Sequence, residues 1–397
     1  MARVRHAMIY FVYPRLRKLS GAERLILRLA SYLTLTGAPV TLVTHYFDAQ
    51  CAPALASSVR LLQTGDRLAY FKNHYLNAPF EYLASLRLLQ YIGADARAVT
   101  FFGPPSLPAL ARFARRRQTR AQTLYFCYEP PRFIYEDTTQ VTARLGGGGA
   151  LARPFFGLYK YLDRAMARRA DTLLANSQFG AARVRAAYGR AATVITHGAD
   201  FAPATAEQIR AVRAQYALDE KFVVLTVNFL HPRKRLDLFL RALAELKTRL
   251  PQAVALVVGA GPENDALRAL ARELQIDAAV RFTGFVPDEA LPAYYAASEA
   301  YIHTCQNESF GLSVLEASAA GLPVIAVNEG GPREIVAHDE TGWLVDATPG
   351  ALADAALRLA QDAARGRRMG AAGQARVAQI YTWPRGAQDF LSALRAE

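Results

Sequence analysis

Two glutamates frame the stretch of this 397-residue chain that is best suited to chemistry. Glu308 and Glu316 lie on either side of Gly311 and Leu312, which open an apolar segment of helical character. A glycine lets the backbone approach a ligand closely, and a helix that begins there directs N–H groups and the positive end of its dipole at an anion such as a diphosphate. The carboxylates are acceptors for sugar or ribose hydroxyl groups. The segment is therefore predicted to bind a nucleotide sugar.

Two glutamates at this spacing also occur by chance on surface helices, so the surrounding sequence decides between the two interpretations. After Glu316, small residues indicate a helix that ends at Gly321, and Val324–Val327 is predicted to be a buried strand. Gly330–Pro332 is predicted to form a turn, and another helix begins at Arg333. A loop that bears a carboxylate after one strand, and opens a helix that leads to the next, is typical of the ligand-binding edge of an open α/β sheet.

This pattern resembles the signature of the retaining glycosyltransferases of the GT4 family (glycosyl transferases group 1), which have the GT-B fold. The shared features are the two glutamates, the small-residue helix, the run Gly321-Leu322-Pro323-Val324-Ile325 and the pair Gly330-Gly331. The resemblance covers nearly the whole chain, and the C-terminal half is its most specific part. It implies two Rossmann-like domains with an interdomain cleft. Residues 1–200 would bind the acceptor, residues 201–382 would bind the nucleotide sugar, and a C-terminal helix, 383–397, would cross back to complete the N-terminal domain.

Strand-like segments alternate with helical patterns along the chain, which is typical of parallel, doubly wound α/β sheets. Predicted strands of the first half are Ala7–Tyr13, Val40–Thr44, Ala98–Phe102, Thr123–Tyr128, Ala170–Ala175 and Val194–His197. Those of the second half are Phe222–Val227, Val254–Gly259, Val280–Phe285, Ala300–His303, Val324–Val327 and Trp343–Val345. Predicted helices include Ala22–Leu35, Gln178–Tyr188, Leu236–Leu250 and Trp383–Arg395, and Gly146–Gly149 is predicted to be a mobile loop.

The composition is that of a globular protein, with 52% hydrophobic and 20% charged residues. The length is sufficient for two domains with their own cores. No apolar run reaches the roughly 18 residues that span a bilayer, and Ala7–Tyr13 is too short for a signal peptide. Cys51, Cys127 and Cys305 form no pattern typical of disulfide frameworks or zinc sites. The predicted compartment is the cytoplasm.

Positive charge is concentrated in the first half of the chain. Residues 1–200 hold 27 Lys and Arg against 11 Asp and Glu, a net charge of +16, whereas residues 201–397 hold 20 against 23, a net charge of −3. A solvated surface would explain this excess. The alternative is attraction to anionic lipid head groups or to a phosphorylated acceptor, with about 1 kcal/mol from each basic residue near a membrane. No nucleic-acid-binding module is recognisable, so nucleic acid is the least favoured partner. The second interpretation would place the protein peripherally at the inner face of the cell membrane.

Three adjacent cations, Arg233, Lys234 and Arg235, follow the first strand of the second half. Cations at this position would stabilise the charge that develops on a leaving diphosphate. By resemblance, Lys234 matches the lysine that the family uses for this purpose. The family's arginine normally lies five or six residues earlier, where this chain has Asn228 or Phe229. Arg233 or Arg235 would then have to supply the missing charge.

The resemblance also assigns roles to the other residues of the donor site. Glu316 would bind the ribose hydroxyl groups, and Glu308 would orient the sugar. The diphosphate would meet the backbone of Ser309, Phe310, Gly311 and Leu312. Phe285 and Val286 would contact the nucleotide base, partly through the backbone.

Two segments of the first half are further candidates. Gly21 opens the helix after the first strand, where an anion of the donor could bind, and Glu23 in the first turn is a candidate for the acceptor side, although an ordinary capped helix has the same pattern. The segment Cys127–Arg132 resembles the Cys-His-x-Pro-Pro-Arg of mannosyltransferases, but Tyr128 replaces the histidine. Tyrosine is a poor general base at neutral pH, so the resemblance leaves the donor phosphate as the base. Arg132 would meet an acceptor phosphate, unless it and Tyr128 only pack the wall of the cleft.

No Asp-x-Asp motif occurs, and this motif often holds a divalent cation in nucleotide-sugar enzymes. Neither a metal nor another cofactor is therefore predicted. The leading hypothesis is a retaining, metal-independent transfer of a hexose, with mannose from GDP-mannose as the first candidate, to a lipid-linked or envelope-glycan acceptor. One alternative is a GT-B glycosyltransferase that acts on a soluble acceptor. The other is a catalytically silent nucleotide-sugar-binding subunit, which Tyr128 and the missing arginine would explain.

Overall fold

The computed structural model describes residues 8–17, 19–65, 74–115, 121–136 and 149–394. Its contacts divide the chain into two compact units. The first contains the residues up to His197 together with the segment from Trp383, and the second contains residues 198–382. Each unit is built on its own parallel sheet, which confirms the predicted α/β fold class.

The first unit has a seven-stranded parallel sheet, with a two-stranded pair beside it. Its strands are β1 (Met8–Val12), β2 (Arg15–Leu16), β3 (Val40–Thr44), β4 (Tyr46–Phe47), β5 (Arg60–Gln63), β6 (Ala96–Phe102), β7 (Gln122–Phe126), β8 (Thr172–Ala175) and β9 (Ala192–Val194). The order in the large sheet is β5-β3-β1-β6-β7-β8-β9, and β2 pairs with β4. The helices are α1 (Gly21–Leu35), α2 (His74–Ser85), α3 (Leu107–Phe113), α4 (Arg132–Tyr135), α5 (Gly149–Ala167) and α6 (Gln178–Tyr188), with 3₁₀ turns at Ala49–Ala54, Leu86–Tyr91 and Pro104–Ser106.

The second unit has a six-stranded parallel sheet, in the order β12-β11-β10-β13-β14-β15. Its strands are β10 (Phe222–Val227), β11 (Ala253–Val258), β12 (Val280–Gly284), β13 (Ala300–His303), β14 (Val324–Val327) and β15 (Gly342–Val345). Its helices are α7 (Ala206–Gln215), α8 (Leu236–Arg249), α9 (Asn264–Glu273), α10 (Leu291–Ala296), α11 (Leu312–Ala319), α12 (Pro332–Ile335), α13 (Pro349–Gln361) and α14 (Ala363–Ile380), with 3₁₀ turns at Pro232–Lys234 and Asp277–Ala279.

Strand β10 shows why this sequence forms a central parallel strand. Val224 packs into one hydrophobic core, whereas Val223 and Leu225 pack into the core on the opposite face of the sheet. A strand buried on both faces needs apolar residues throughout, rather than an alternation with polar ones. Val224 pairs with Ala255 on one side and with Ala300 on the other. Because all these strands are parallel, the loops after β10, β13 and β14 begin at the same edge.

The last helix, α15 (Trp383–Ala393), belongs to the first unit, as the family resemblance implies. Phe390 is completely buried and meets Phe11 of β1 edge-on, with ring centroids 5.5 Å apart. The Asp389 carboxylate accepts a hydrogen bond from the Thr196 N–H at 3.0 Å. The strand predicted at Val194–His197 is wrong in its bounds, because the structure has β9 at Ala192–Val194. The Ile195 N–H still donates to the Ala175 carbonyl oxygen of β8 at 2.8 Å, and at Thr196 the side chain of Asp389 replaces the neighbouring strand as the partner.

Gly149 is the first residue of α5 rather than part of a loop, and the other residues of the predicted glycine loop lie outside the described ranges. Cys51, Cys127 and Cys305 are buried and form no disulfide. Of the helices in the described part of the chain, none combines the length and apolar character that crossing a membrane requires.

Asp163 of α5 is a buried carboxyl group that predicts a pH-dependent stability. It is 1% exposed, and it accepts a hydrogen bond from the Tyr135 hydroxyl at 2.9 Å. Burial raises the pKa of Asp163 to about 6. The folded state then binds a proton more tightly than the unfolded state, so the free energy of unfolding falls as the pH rises through the interval between the unfolded and folded pKa values.

We expect the free energy of unfolding of the wild type to fall by roughly 1 to 2 kcal/mol more than that of Asp163→Asn between about pH 5 and pH 8. Urea unfolding of both proteins at the two pH values measures this difference. Equal pH dependence in the two proteins would contradict it.

Candidate functional site

The candidate site lies at the carboxyl edge of the second sheet. The loop after β10 carries Lys234, and the loop after β13 carries Glu308. The two residues are 74 positions apart in the chain, yet the Lys234 ammonium donates a hydrogen bond to the Glu308 carboxylate. The sheet thus joins two residues that the sequence assigned to the same donor site.

The ion pair at Glu308 is largely removed from water. The side chains of Lys234 and Glu308 are 18% and 15% exposed, and a guanidinium nitrogen of Arg233 lies 3.9 Å from the second Glu308 oxygen. Burial by itself would raise the pKa of Glu308, but Lys234 and Arg233 outweigh this effect and hold that pKa well below its usual range. Glu308 is therefore a carboxylate at every physiological pH, and it can accept hydrogen bonds from sugar hydroxyl groups.

Arg233, rather than Arg235, is the second cation at this point. Arg235 donates to the Thr304 carbonyl oxygen at 2.7 Å and to the Glu329 carboxylate at 3.1 Å. Its backbone is left-handed, with φ of 46°, which turns the chain directly into α8. Arg235 thus connects the loops after β10, β13 and β14. This leaves Arg233 as the better candidate for the charge that the family's arginine supplies.

Helix α11 begins immediately after Gly311, whose φ of 101° favours glycine. The first-turn N–H groups of such a helix have no partner within the helix, so its N-terminus can receive an anion. Leu312 is the first helical residue, and the backbone of Ser309 and Phe310 leads into it, with both side chains buried. The backbone predicted to meet a diphosphate therefore has the geometry of an anion-binding helix start.

Glu316 lies one turn further along α11. Its carboxylate accepts a hydrogen bond from the Tyr295 hydroxyl at 2.9 Å, and Tyr295 itself is completely buried. The next hydroxyl group in this cluster, that of Tyr301, donates to Ser313 at 2.7 Å. A carboxylate held by a fixed phenol is oriented before its ligand arrives, which is what recognition of hydroxyl groups requires.

Asn228, which stands where the family has its arginine, and the two residues predicted near the nucleotide base lie along the same edge. Asn228 is 8% exposed and donates to the Thr226 hydroxyl at 2.8 Å, and Gly259 packs directly against its backbone. The Asn228 amide is thus engaged within the protein. Phe285 follows β12 and is 76% exposed, whereas Val286 is buried. An exposed aromatic ring at the carboxyl edge of a sheet offers a stacking surface to a planar base.

Within the described part of the chain, one group of three side chains is compact enough for a metal ion. The ligand atoms of His303, Cys305 and Glu308 lie within 4.8 Å of one another. Burial raises the pKa of the Cys305 thiol to about 12, while burial and the Lys234 charge lower the pKa of His303 to about 3. Because Glu308 is already paired with Lys234, a divalent cation would meet a protonated thiol and a neighbouring positive charge. The donor set fits a metal poorly, and metal independence stays a prediction.

In the first unit, Gly21 and Glu23 begin helix α1. Glu23 is 9% exposed and accepts a hydrogen bond from the Ser20 hydroxyl. The Tyr128 hydroxyl donates to the Ala22 carbonyl oxygen at 3.3 Å, and burial raises the pKa of Tyr128 well above its ordinary value. Tyr128 is thus a neutral phenol that is bonded to the start of α1, which makes it unsuited to act as a base.

Arg132 is part of an ionic cluster. It pairs with Glu129 and, at 3.5 Å, with Glu136, and Arg183 pairs with the same two carboxylates. An acceptor phosphate would therefore compete with Glu129 and Glu136 for Arg132. The sequence offered no sign of this cluster, because Arg183 lies on α6, far along the chain.

Sequence reasoning also missed three residues that lie beside the donor-site side chains. Tyr295 orients Glu316, Glu329 holds Arg235, and His303 lies fully buried behind Glu308. Each lies in another element of the sheet edge. Of the three, His303 could have been identified from the sequence, because it is a polar residue at the end of a predicted strand.

Two family models match the chain. Residues 20–199 match the Glycosyl transferase 4-like domain, and residues 208–376 match Glycosyl transferases group 1. Together they span most of the sequence.

Similar curated proteins include the GDP-mannose-dependent alpha-(1-6)-phosphatidylinositol monomannoside mannosyltransferase of Mycobacterium tuberculosis. It is 35% identical over 240 residues, which are 57% of this chain and 62% of that protein. The match to this relative thus spans less than two thirds of its length. Alpha-1,3/1,6-mannosyltransferase ALG2 of Homo sapiens is 25% identical over 406 residues, 94% of this chain and 92% of that protein.

Similar solved structures cover nearly the whole chain. Anabaena Alr3699/HepE in complex with UDP and glucose has a TM-score of 0.74 at 22% identity, over 98% of this chain and 99% of that one. Sucrose-phosphate synthase from Thermosynechococcus elongatus has a TM-score of 0.74 at 22% identity, over 97% of both chains. At such identity the likeness shows the shared fold.

Proposed function

Because this chain belongs to the group 1 glycosyltransferases, the GT4 family with the GT-B fold, we propose that it transfers mannose from GDP-mannose with retention of configuration and without a metal ion. The observation that carries this proposal is the buried pair of Lys234 and Glu308 in the same sheet edge as the start of α11. The name of the mycobacterial relative supports GDP-mannose as the donor.

In the proposed mechanism, the donor diphosphate binds at the N-terminus of α11, at Gly311 and Leu312. Glu316, oriented by Tyr295, accepts hydrogen bonds from the ribose hydroxyl groups. Glu308 accepts hydrogen bonds from the sugar. Lys234 is bonded to Glu308 in the structure, and it neutralises the charge that develops on the diphosphate as the glycosidic bond breaks.

The proton of the attacking hydroxyl group goes to a donor phosphate oxygen rather than to a protein base. The raised pKa of Tyr128 supports this assignment. The bond to the acceptor then forms on the face from which the diphosphate leaves, which retains the configuration.

The proposed acceptor is a lipid-linked or envelope-glycan precursor. The net charge of +16 over residues 1–200 supports it, because positive charge attracts phosphorylated or membrane-bound acceptors. The mycobacterial relative's name includes a phosphatidylinositol monomannoside, which supports an acceptor of this class.

The donor is tested by thermal shift across GDP- and UDP-sugars, because a ligand that binds only the folded state raises Tm. We expect GDP-mannose to give the largest shift.

Glu316→Ala is expected to weaken donor binding by about 10- to 100-fold, since a hydrogen bond to a charged group contributes roughly 1.5 to 3 kcal/mol. Tyr295→Phe keeps the carboxylate but removes its fixed partner, so we expect a smaller loss. Wild-type affinity in Glu316→Ala would contradict the donor site.

We further expect the transfer rate to be unchanged by EDTA and not raised by added Mg²⁺ or Mn²⁺. The physical reason is that Lys234 and Arg233 provide the positive charge that a metal would otherwise supply. Product formation is measured with and without chelator. Loss of transfer in EDTA, with recovery on addition of a divalent ion, would overturn metal independence.

A further inference from the structure

An apolar stripe of four large side chains is exposed on helix α5. Phe155 is 73% exposed, Leu158 56%, Tyr161 68% and Leu162 46%. Their spacing puts them on one face of the helix. The opposite face carries Asp163 and Ala167, and both are buried. Helix α5 therefore directs apolar side chains outward, the reverse of an ordinary surface helix, and such faces are typical of interaction sites.

Helix α2, which contacts α5, adds a fifth exposed apolar side chain. Its Leu83 is 64% exposed. The neighbouring Tyr82 meets Tyr159 of α5 edge-on, with ring centroids 6.1 Å apart, and the two hydroxyl groups are hydrogen-bonded. The two helices are thus joined directly beneath the surface. Leu83, Phe155, Leu158, Tyr161 and Leu162 form what we call the α2–α5 patch.

The exposed charges next to α5 are basic. Arg168 and Arg169 are exposed just beyond the helix end, whereas the half-buried Lys160 holds its ammonium 5.1 Å from the centre of the Tyr135 ring. The two helices contain one acidic residue each. Glu81 pairs with Arg15 at 3.7 Å, and Asp163 is buried. Neither carboxylate is available to repel an anionic surface.

We propose that the α2–α5 patch docks the protein on an anionic membrane. The apolar stripe enters the interfacial layer, and the surrounding lysine and arginine side chains bind lipid phosphates. Charge decides against a second copy of this chain as the occupant. Residues 1–200 carry a net charge of +16, so pairing two such surfaces brings like charges together. The use of this surface rests on the proposed lipid-linked acceptor, but membrane binding itself is measured without any acceptor.

The test compares the full-length wild type with the triple variant Phe155→Ser/Leu158→Ser/Leu162→Ser. Each protein is sedimented with vesicles of phosphatidylcholine alone and of phosphatidylcholine mixed with phosphatidylglycerol. We expect the wild type to bind the mixed vesicles, and the triple variant to bind them at least about tenfold more weakly. Binding that the triple variant retains should disappear at high salt, because only the charge contribution is left.

The matched control is Leu35→Ser, which removes a leucine that is 68% exposed at the end of α1. This variant should bind as the wild type does. The single variant Leu158→Ser shows the same effect with less perturbation, and circular dichroism verifies that each protein is folded. Equal vesicle binding by the wild type, the triple variant and Leu158→Ser would overturn the proposal.

Two further outcomes are informative. A wild-type dimer in light scattering that becomes monomeric in the triple variant, with no vesicle binding in either, would assign the patch to self-association and overturn membrane docking. The GDP-mannose thermal shift is measured on the same proteins. If it is absent while vesicle binding follows the patch, the donor proposal fails and the docking proposal stands.

Discussion

Replacing Lys234 by alanine is expected to lower kcat about a hundred- to a thousandfold. Lys234 is the cation bonded to Glu308, in the edge where the diphosphate is proposed to leave. Its positive charge is held in place before the reaction, so it stabilises the developing negative charge without reorganisation. Because the interaction is strongest in the transition state, kcat should fall more than KM rises. Steady-state kinetics with the preferred nucleotide sugar measure both constants.

The same substitution should also destabilise the folded protein. Glu308 would stay in a buried position without its main counter-ion, and loss of one partner of such a pair costs about 3 kcal/mol. In the wild type the depressed pKa means that Glu308 contributes stability above its unfolded pKa, and that this contribution is lost as the pH falls through the folded value. In Lys234→Ala that contribution shrinks.

The double variant Lys234→Ala/Glu308→Gln separates the two effects. It removes the uncompensated charge, so it should recover part of the free energy of unfolding but none of the catalytic rate. Lys221→Ala, which removes an exposed lysine at the start of β10, is the control and should behave as the wild type in both measurements. Wild-type kcat in Lys234→Ala would disprove the role of Lys234 at the leaving group.

The strands could be predicted from the sequence where burial on both faces makes the pattern unambiguous. Phe222–Val227 and Val324–Val327 were predicted with the bounds that the structure has, because each is an apolar run between polar or glycine-containing segments. Arg60–Gln63, in contrast, is an edge strand with two exposed residues, and its mixed composition gave no signal. Local pattern is thus sufficient for central strands and for the edge strands β12 and β15, but not for the short edge strand β5.

Prediction of the candidate site from the sequence has a similar limit. The motif containing Glu308, Gly311 and Glu316 was recognisable because its residues are adjacent in sequence. The partners that fix those residues are distant: Tyr295 precedes Glu316 by 21 positions, and Arg235 and Glu329 are 94 apart. Spacing along the chain carries no information about such pairs. Only the strand order brings them together.

The second large effect is expected when a glycine of the pair Gly330-Gly331 is replaced. The substitution would disturb the packing of this loop against the donor-site loop. Gly330 has a φ of +69°, and a Cβ atom there would lie 2.4 Å from the Glu308 carbonyl oxygen. A Cβ atom on Gly331 would lie 2.5 Å from the Ser309 carbonyl oxygen, and the Gly331 N–H donates to the Glu308 carbonyl at 2.7 Å. The two glycines therefore allow one loop backbone to lie directly against the donor-site loop.

We expect Gly330→Ala to reduce the free energy of unfolding by about 3 kcal/mol or more, because a left-handed backbone and a backbone clash add together. Gly331→Ala has the clash without the unfavourable φ, so its loss should be smaller. In both variants the displaced Glu308 backbone should weaken donor binding even where the protein stays folded.

Gly189→Ala measures the cost of placing alanine in a left-handed backbone separately from the cost of a steric clash. Gly189 has the same φ of +69°, but a Cβ atom there would have nothing within 4 Å. We expect this control to lose only about 1 kcal/mol and to bind the donor normally. Urea unfolding and donor titration of the three variants test the assignment. If Gly330→Ala loses no more stability than Gly189→Ala, close packing of the glycine pair does not position Glu308. Glu308 must then be held mainly by its ion pairs with Lys234 and Arg233, which are a weaker constraint because flexible side chains form them.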